Sequence, residues 1–203
     1  MARTITGLFD HYEDAQRAVA ELERAGVPQD DISIVANNAH GHHDGVARSH
    51  DDAAEDAGKG ARIGATVGGV GGLLAGLGLL AIPGLGPVVA AGWLVSTLAG
   101  AAGGAAVGAA TGGLVGALTD AGVPENDANV YAESVRRGGT LVTARVDEAL
   151  APTASKILSH EKTVDVASRR RSYESERWTR FDDGAAPYAA ENIGRGPVGG
   201  QQI

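Results

Sequence analysis

From residue 63 to residue 119 the chain carries no charged residue and no histidine, a run of 57 positions with acidic sequence on both sides. So long an uncharged run must be covered by lipid, by the rest of the chain or by another copy. Two glycine ladders overlap it, with a glycine at every fourth position: Gly60, Gly64, Gly68, Gly72 and Gly76, then Gly100, Gly104, Gly108, Gly112 and Gly116. Glycine inside a helix costs roughly 1 kcal/mol relative to alanine. Residues four apart share one helical face, and a face lined only with hydrogen lets another backbone settle into it. These ten glycines therefore read as a helix-packing surface that offsets their poor helix propensity.

The run divides at "IPGLGP", residues 82–87, where two prolines and two glycines supply turning chemistry. The pattern predicts a long Gly/Ala-rich helical hairpin over residues 60–120. Its first arm, residues 60–81, would be about 33 Å long and its second, residues 88–119, about 48 Å, against a hydrocarbon core of about 30 Å. A membrane-inserted hairpin is the leading expectation. A buried hairpin in a soluble glycine-zipper assembly is the alternative, and a flexible low-complexity linker is disfavoured by the leucine and valine content.

Composition narrows the rest. There is no cysteine, so neither disulfides nor a cysteine-ligated metal can act as staples. A formal charge of -8 argues against a general phosphate-binding surface, and no nucleic-acid partner is expected. The opening "MARTITGLFDHYEDAQ" lacks the apolar run of a signal peptide, so the chain is expected to begin here in the cytoplasm.

The flanks have a different grammar. Residues 1–38 read strand, amphipathic helix, strand: residues 4–9, a helix with Ala15, Ala18, Val19 and Leu22 on one face, a stop at Gly26 and Pro28, and residues 32–36. After the uncharged run, "GVPENDANVYAESVRRGG" predicts a connecting helix. Residues 140–146, a helix centred on Ala154, Ile157 and Leu158, and residues 163–167 then repeat the strand–helix–strand order. Two such halves combine into a ferredoxin-like split βαβ sandwich, an α+β fold with one antiparallel sheet and two helices on one face. In this division residues 39–59 are an acidic, histidine-containing linker, 60–120 the inserted hairpin, 121–167 the connecting helix and second half, and 168–203 a mobile tail.

The segments "TITGLFDHYEDAQRAVAELERAGVPQDDISIV" and "GVPENDANVYAESVRRGGTLVTARV", with the paired zippers, resemble the bacterial general-stress, heat-induced stress-protein family with a ferredoxin-like domain and glycine-zipper insert. The likeness extends over about residues 3–167. It implies a stress-associated, membrane-associated bacterial protein and brings no catalytic residues. With Lys59 and Arg62 at the start of the first arm and Arg136 and Arg137 after the second, an inserted hairpin would sit in the cytoplasmic (inner) membrane with both termini inside. The cytoplasm is the alternative location.

Candidate chemistry is sparse. His40, His42, His43 and His50 lie among carboxylates, but their spacing matches no metal motif, and a solvated linker accounts for them. The glycine clusters do not fit the P-loop pattern, and Ser96 has no candidate base beside it. No catalytic residue, cofactor or metal is assigned. In the tail, Trp178, Phe181 and Tyr188 could anchor a protein partner or fold back onto the sheet or the membrane interface. The expectation is a non-enzymatic stress-associated membrane protein, a cytoplasmic ferredoxin-like domain anchored and oligomerised by the hairpin. The other reading is a small-ligand-sensing module, supported by fold analogy alone.

Overall fold

The computed structural model describes residues 2–39, 78–95, 97–98, 113–160 and 162–188. The chain runs β1 (Arg3–Phe9), α1 (Tyr12–Arg24), a 3-10 turn (Gln29–Asp31), β2 (Ile32–Asn37), β3 (Gly78–Ile82), β4 (Gly86–Gly92), α2 (Gly113–Asp120), α3 (Glu125–Arg136), β5 (Thr140–Val146), α4 (Ala151–Leu158) and α5 (Val166–Ser175). The strands form one sheet in the order β1-β5-β2-β4-β3. β5 slots antiparallel between β1 and β2, pairing Ile5 with Ala144 on one side and Ile34 with Val142 on the other. α1 links β1 to β2 across that gap, which is the split βαβ arrangement expected from the sequence.

Alternation along the strands serves two cores. Ile32, Ile34 and Ala36 of β2, Val142, Ala144 and Val146 of β5, and Val89 and Ala91 of β4 face α1 and α4, which bury Ala15, Ala18, Val19, Leu22, Ala154 and Leu158. The α1 face is the one its sequence predicts. The other face carries Leu8, Val35, Leu141, Val88 and Ala90, packed with Leu114 and Leu118 of α2 and Ala128, Tyr131, Ala132 and Val135 of α3. A sandwich with helices on one face only is therefore corrected to a sheet covered on both.

The predicted helical hairpin needs the larger correction. Residues 78–82 and 86–92 are not helix arms but the β3–β4 hairpin, closed at residues 83–85, where the Leu85 N–H donates to the Ile82 carbonyl over 3.1 Å. The turn lies where the prolines and glycines place it. The error is one of type: a short apolar run bounded by turn signals has the same hydropathy as a buried helix, and β-branched Val88 and Val89 tip it to strand. β4 adds to β2, pairing Val35 with Ala90, so this part of the insert belongs to the domain core. The second arm is helical near its end, as α2. No helix among the described residues is long and apolar enough to cross a membrane.

Two further expectations change. The strand predicted at residues 163–167 is reduced to one bridge, Phe9 to Thr163, beside a 2.7 Å hydrogen bond from the Val164 N–H to the Leu8 carbonyl. Asp165 then accepts from the Ser168 N–H at 2.8 Å and starts α5, because a short carboxylate at a helix entrance satisfies a donor that has no partner inside the helix. Consequently residues 168–188, expected to be mobile, are α5 followed by an ordered strap. The connecting helix, α3, lies as predicted between Pro124 and Gly138.

Because the insert supplies core, it is not separable. Leu118 is fully buried, and Leu118→Ala should lower stability by about 2–5 kcal/mol in urea unfolding. A chain with residues 60–119 replaced by a short linker should lose its cooperative thermal transition. A sharp transition in that shortened chain would return the insert to the status of an independent element.

Candidate functional site

The ladder glycines other than Gly116, like the linker histidines His40, His42, His43 and His50, lie outside the described residues. Gly116 sits in α2 with open space where its Cβ would be, so no close backbone approach occurs there among the described residues. Among those residues no group of histidine and carboxylate side chains could hold a metal. What the fold does bring together is the outer side of α3, α5 and the strap at residues 176–188.

α3 begins at Pro124 with Glu125 and Asp127 in its first turn and ends at Arg136. Its last two turns place Glu133, Arg136 and Arg137 at i, i+3 and i+4, the spacing at which helical side chains meet. Glu133 is fully buried. One carboxylate oxygen accepts from Arg137 Nε at 2.6 Å and the other from Arg136 at 3.3 Å. Arg137 also donates to Glu176, just past α5, at 2.6 Å. Burial alone would lower the Arg137 pKa, but the hydrogen bonds it donates to Glu176 and Glu133 and the Glu133 charge outweigh it and raise it. The guanidinium therefore stays charged at any ordinary pH.

Aromatic rings complete the arrangement. Arg137 lies 4.1 Å above the Tyr173 ring and Arg136 lies 4.7 Å above that of Tyr188, both within cation–π range. The Tyr173 hydroxyl is 3.0 Å from Ser134 Oγ. Trp178 meets Tyr173 in an edge-on contact, with centroids 5.6 Å apart. Phe181 is buried in the core of the α2–α3 side, and its N–H donates to Asn129 Oδ1 at 3.0 Å. Arg136 reaches the Ala186 carbonyl at 2.8 Å. Thus the three tail aromatics singled out in the sequence fold back onto their own chain: Phe181 as core, Trp178 and Tyr188 as contacts of the Arg136–Arg137 pair and Tyr173.

The β3–β4 turn is shaped for the same strap. A Cβ at Gly84 would lie 2.7 Å from Asp183 Cα, and one at Gly86 would lie 2.9 Å from Pro187 Cβ; both glycines have positive φ. Larger residues there would push the strap away. Between strap and α3 remains a cleft of about 830 Å³, lined by residues that include Arg136, Arg177, Arg180, Glu125, Asp182 and Asp183. A smaller cleft of about 300 Å³ shares Glu125, Asn129, Trp178, Thr179 and Arg180 with it.

The sequence carries one signal for this site, the i, i+3, i+4 spacing of Glu133, Arg136 and Arg137, whose two arginines also stand as the charges that follow the uncharged run. What cannot be read from α3 alone is that Glu176 and two tyrosines, far along the chain, close around it.

Two consequences can be measured. Glu133→Gln leaves two buried guanidinium contacts without their carboxylate and should cost about 3 kcal/mol in chemical unfolding, with faster hydrogen exchange at residues 176–188. Tyr131, on the same helix, has its phenol pushed up to about 12, first by burial and then by Asp127. Its folded-state pKa lies above the unfolded value, so its stabilising share is complete below about pH 10 and is lost as pH rises through about 12. Tyr131→Phe should make stability less dependent on pH across that alkaline window.

No curated protein and no solved structure matches the chain. A family model, the heat-induced stress protein YflT domain, matches residues 4–81, which take in β1, α1, β2 and nearly all of β3 and leave the strap and its cleft outside. The expected kinship with heat-induced stress proteins is thereby met over residues 4–81, which are similar to the heat-induced stress protein YflT domain.

Proposed function

We propose that the chain is a non-enzymatic, stress-associated assembly module: a closed α+β domain that self-associates through the uncharged segments 63–77 and 99–112. The observation that carries this reading is the incorporation of residues 78–95 and 97–98 into the domain. β3 and β4 are strands of its sheet, and Trp93, Leu94 and Leu98 lie in its core. The uncharged run is thereby reduced to two stretches of 15 and 14 residues. Spanning a bilayer as a helix takes about 20 residues, whereas four-residue glycine spacing suits close contact between helices at any length. Packing of one glycine-lined segment on another, within a chain or between copies, accordingly takes precedence over an anchored form in the inner membrane with both termini cytoplasmic.

Coverage of both sheet faces bears on the ligand-sensing alternative. That alternative takes small molecules at a junction where such domains pair through sheets or helices, and here the sheet face opposite α1 and α4 is packed against α2 and α3. Ligand sensing on that face would require those helices to leave.

Light scattering on the full chain purified without detergent should give a defined oligomer. Leucine at Gly64, Gly68, Gly104 and Gly108 together should reduce it to monomer while leaving the circular-dichroism spectrum of the domain intact. A monomeric parent chain would sink the assembly reading, and retention of the parent in the membrane pellet after alkaline carbonate extraction would replace it with the anchored one.

A further inference from the structure

The end of α5 breaks a rule that three other helices obey. α1, α2 and α3 each close by folding the chain back through a left-handed residue, and that residue is Gly26, Gly122 and Gly138 in turn, with φ of 93°, 91° and 104°. In each case the next N–H reaches back to the third-last helical carbonyl: Val27 to Leu22 at 3.1 Å, Val123 to Leu118 at 3.0 Å, Gly139 to Ser134 at 2.8 Å. α5 closes in the same way, Trp178 to Tyr173 at 3.1 Å, but its left-handed residue is Arg177, with φ of 67°. Arg177 is the one non-glycine residue at positive φ among the described residues. A side chain there is unfavourable, and such strain is kept where the side chain has work that glycine cannot do.

Arg177 has no ion pair or hydrogen-bond acceptor for its guanidinium among the described residues, and neither has Arg180, three positions on. Both line the 830 Å³ cleft, with Arg136 at its α3 wall. Arg17, Arg136, Arg137, Arg145, Arg169 and Arg170 are in ion pairs; Arg3, Arg24 and Arg171 are not, among the described residues, but none of those three lines the cleft. Three carboxylates share the cleft wall, Glu125, Asp182 and Asp183, yet none lies within ion-pair distance of Arg177 or Arg180. Cations held apart from available acids, in a cleft of a size that suits a small metabolite, leave room for an anion between them. The acids set the character of the rest of the ligand, since carboxylates accept hydrogen bonds from hydroxyl or amino groups.

We propose that the cleft between the strap and α3 binds a small phosphate ester, its phosphate held by Arg177 and Arg180 and its hydroxyl groups donating to Asp182, Asp183 or Glu125. Arginine suits the task because its planar fork meets phosphate through two parallel hydrogen bonds. A bare phosphate would leave most of the 830 Å³ empty, which is why an ester of sugar or nucleoside is favoured. Arg177 keeps its costly conformation because it aims a guanidinium into the cleft from the turn that joins α5 to the strap. The site lies outside residues 4–81, so the family match assigns it nothing.

Trp178 lines both clefts and is one of only two tryptophans in the chain, so a Trp93→Phe background makes its fluorescence a local reporter. In that background the full chain would be titrated with ribose 5-phosphate, adenosine monophosphate and inorganic phosphate, and binding checked by calorimetry. At least one ester should bind at least tenfold more tightly than inorganic phosphate and change the Trp178 emission. Arg180→Gln should weaken that binding at least tenfold with no change in melting temperature. Arg177→Gly should weaken it equally while raising the melting temperature by about 2–4 °C, as relief of a kilocalorie-scale strain does in a chain of this size. A merely structural Arg177 would give the gain in stability without the loss of binding. Failure of both esters to bind, equal binding of inorganic phosphate, or unchanged binding in both arginine variants would each overturn the proposal.

Discussion

β5 is the member on which the rest of the structure depends. It lies between β1 and β2 with all but one of its seven residues buried, so it needs an apolar layer on each face of the sheet. α1 and α4 provide one layer from the two halves of the split βαβ fold. A sheet buried on one face would leave Leu8, Val35 and Leu141 in water; these three are at most 1 % exposed. The second layer must be recruited from elsewhere in the chain. It comes from α2 and α3, the β3–β4 hairpin, and Phe181 of the strap. Burial of an aliphatic side chain contributes about 1.5–3 kcal/mol, so the second layer is a structural requirement of the fold.

Glu133 follows from that requirement. α3 lies against the sheet and is in turn covered by α5 and the strap, so a residue on its outer side becomes interior. A carboxylate in that position would be costly alone, and two arginines one turn later, with Glu176 and the Tyr173 and Tyr188 rings around them, satisfy it. Because the partners come from α3, α5 and the strap, the network fixes the register of three segments at once. Apolar packing is less selective, whereas Arg137 must present Nε to Glu133 and a terminal nitrogen to Glu176 at the same time.

The parts of this fold that were legible in the sequence are those whose causes are local. The buried face of α1, the Gly26 and Gly138 helix ends, the strand at β5 and the turn at Pro83–Pro87 all follow from residues within a few positions of one another. The type of the segments flanking that turn was not legible. An uncharged apolar run satisfies a bilayer, a buried helix or a central strand equally, and only pairing of Val35 with Ala90 across 55 positions of sequence decides among them. The shrinkage of the last strand to a single bridge has a local cause that the apolar pattern hid: Asp165 captures the Ser168 N–H and turns the chain into helix first. The site was half legible. Glu133, Arg136 and Arg137 show their spacing, and Trp178, Phe181 and Tyr188 stand out by composition. Their meeting is a tertiary fact that neither pattern contains.

Insert and tail, read from sequence as an anchor and a mobile end, turn out to be two sides of one joint. Gly84 and Gly86 lack side chains where Asp183 and Pro187 pass, and Phe181 fills the core between the turn and α3. Strap and turn each leave the other incompletely buried if removed, so they should become ordered together. Such mutual dependence gives the domain a weak point as well as a seam, since the strap is held at its far end mainly by polar contacts to Arg136 and by the Tyr188 ring. Opening would start there and run back toward Arg177, where the left-handed turn is already strained.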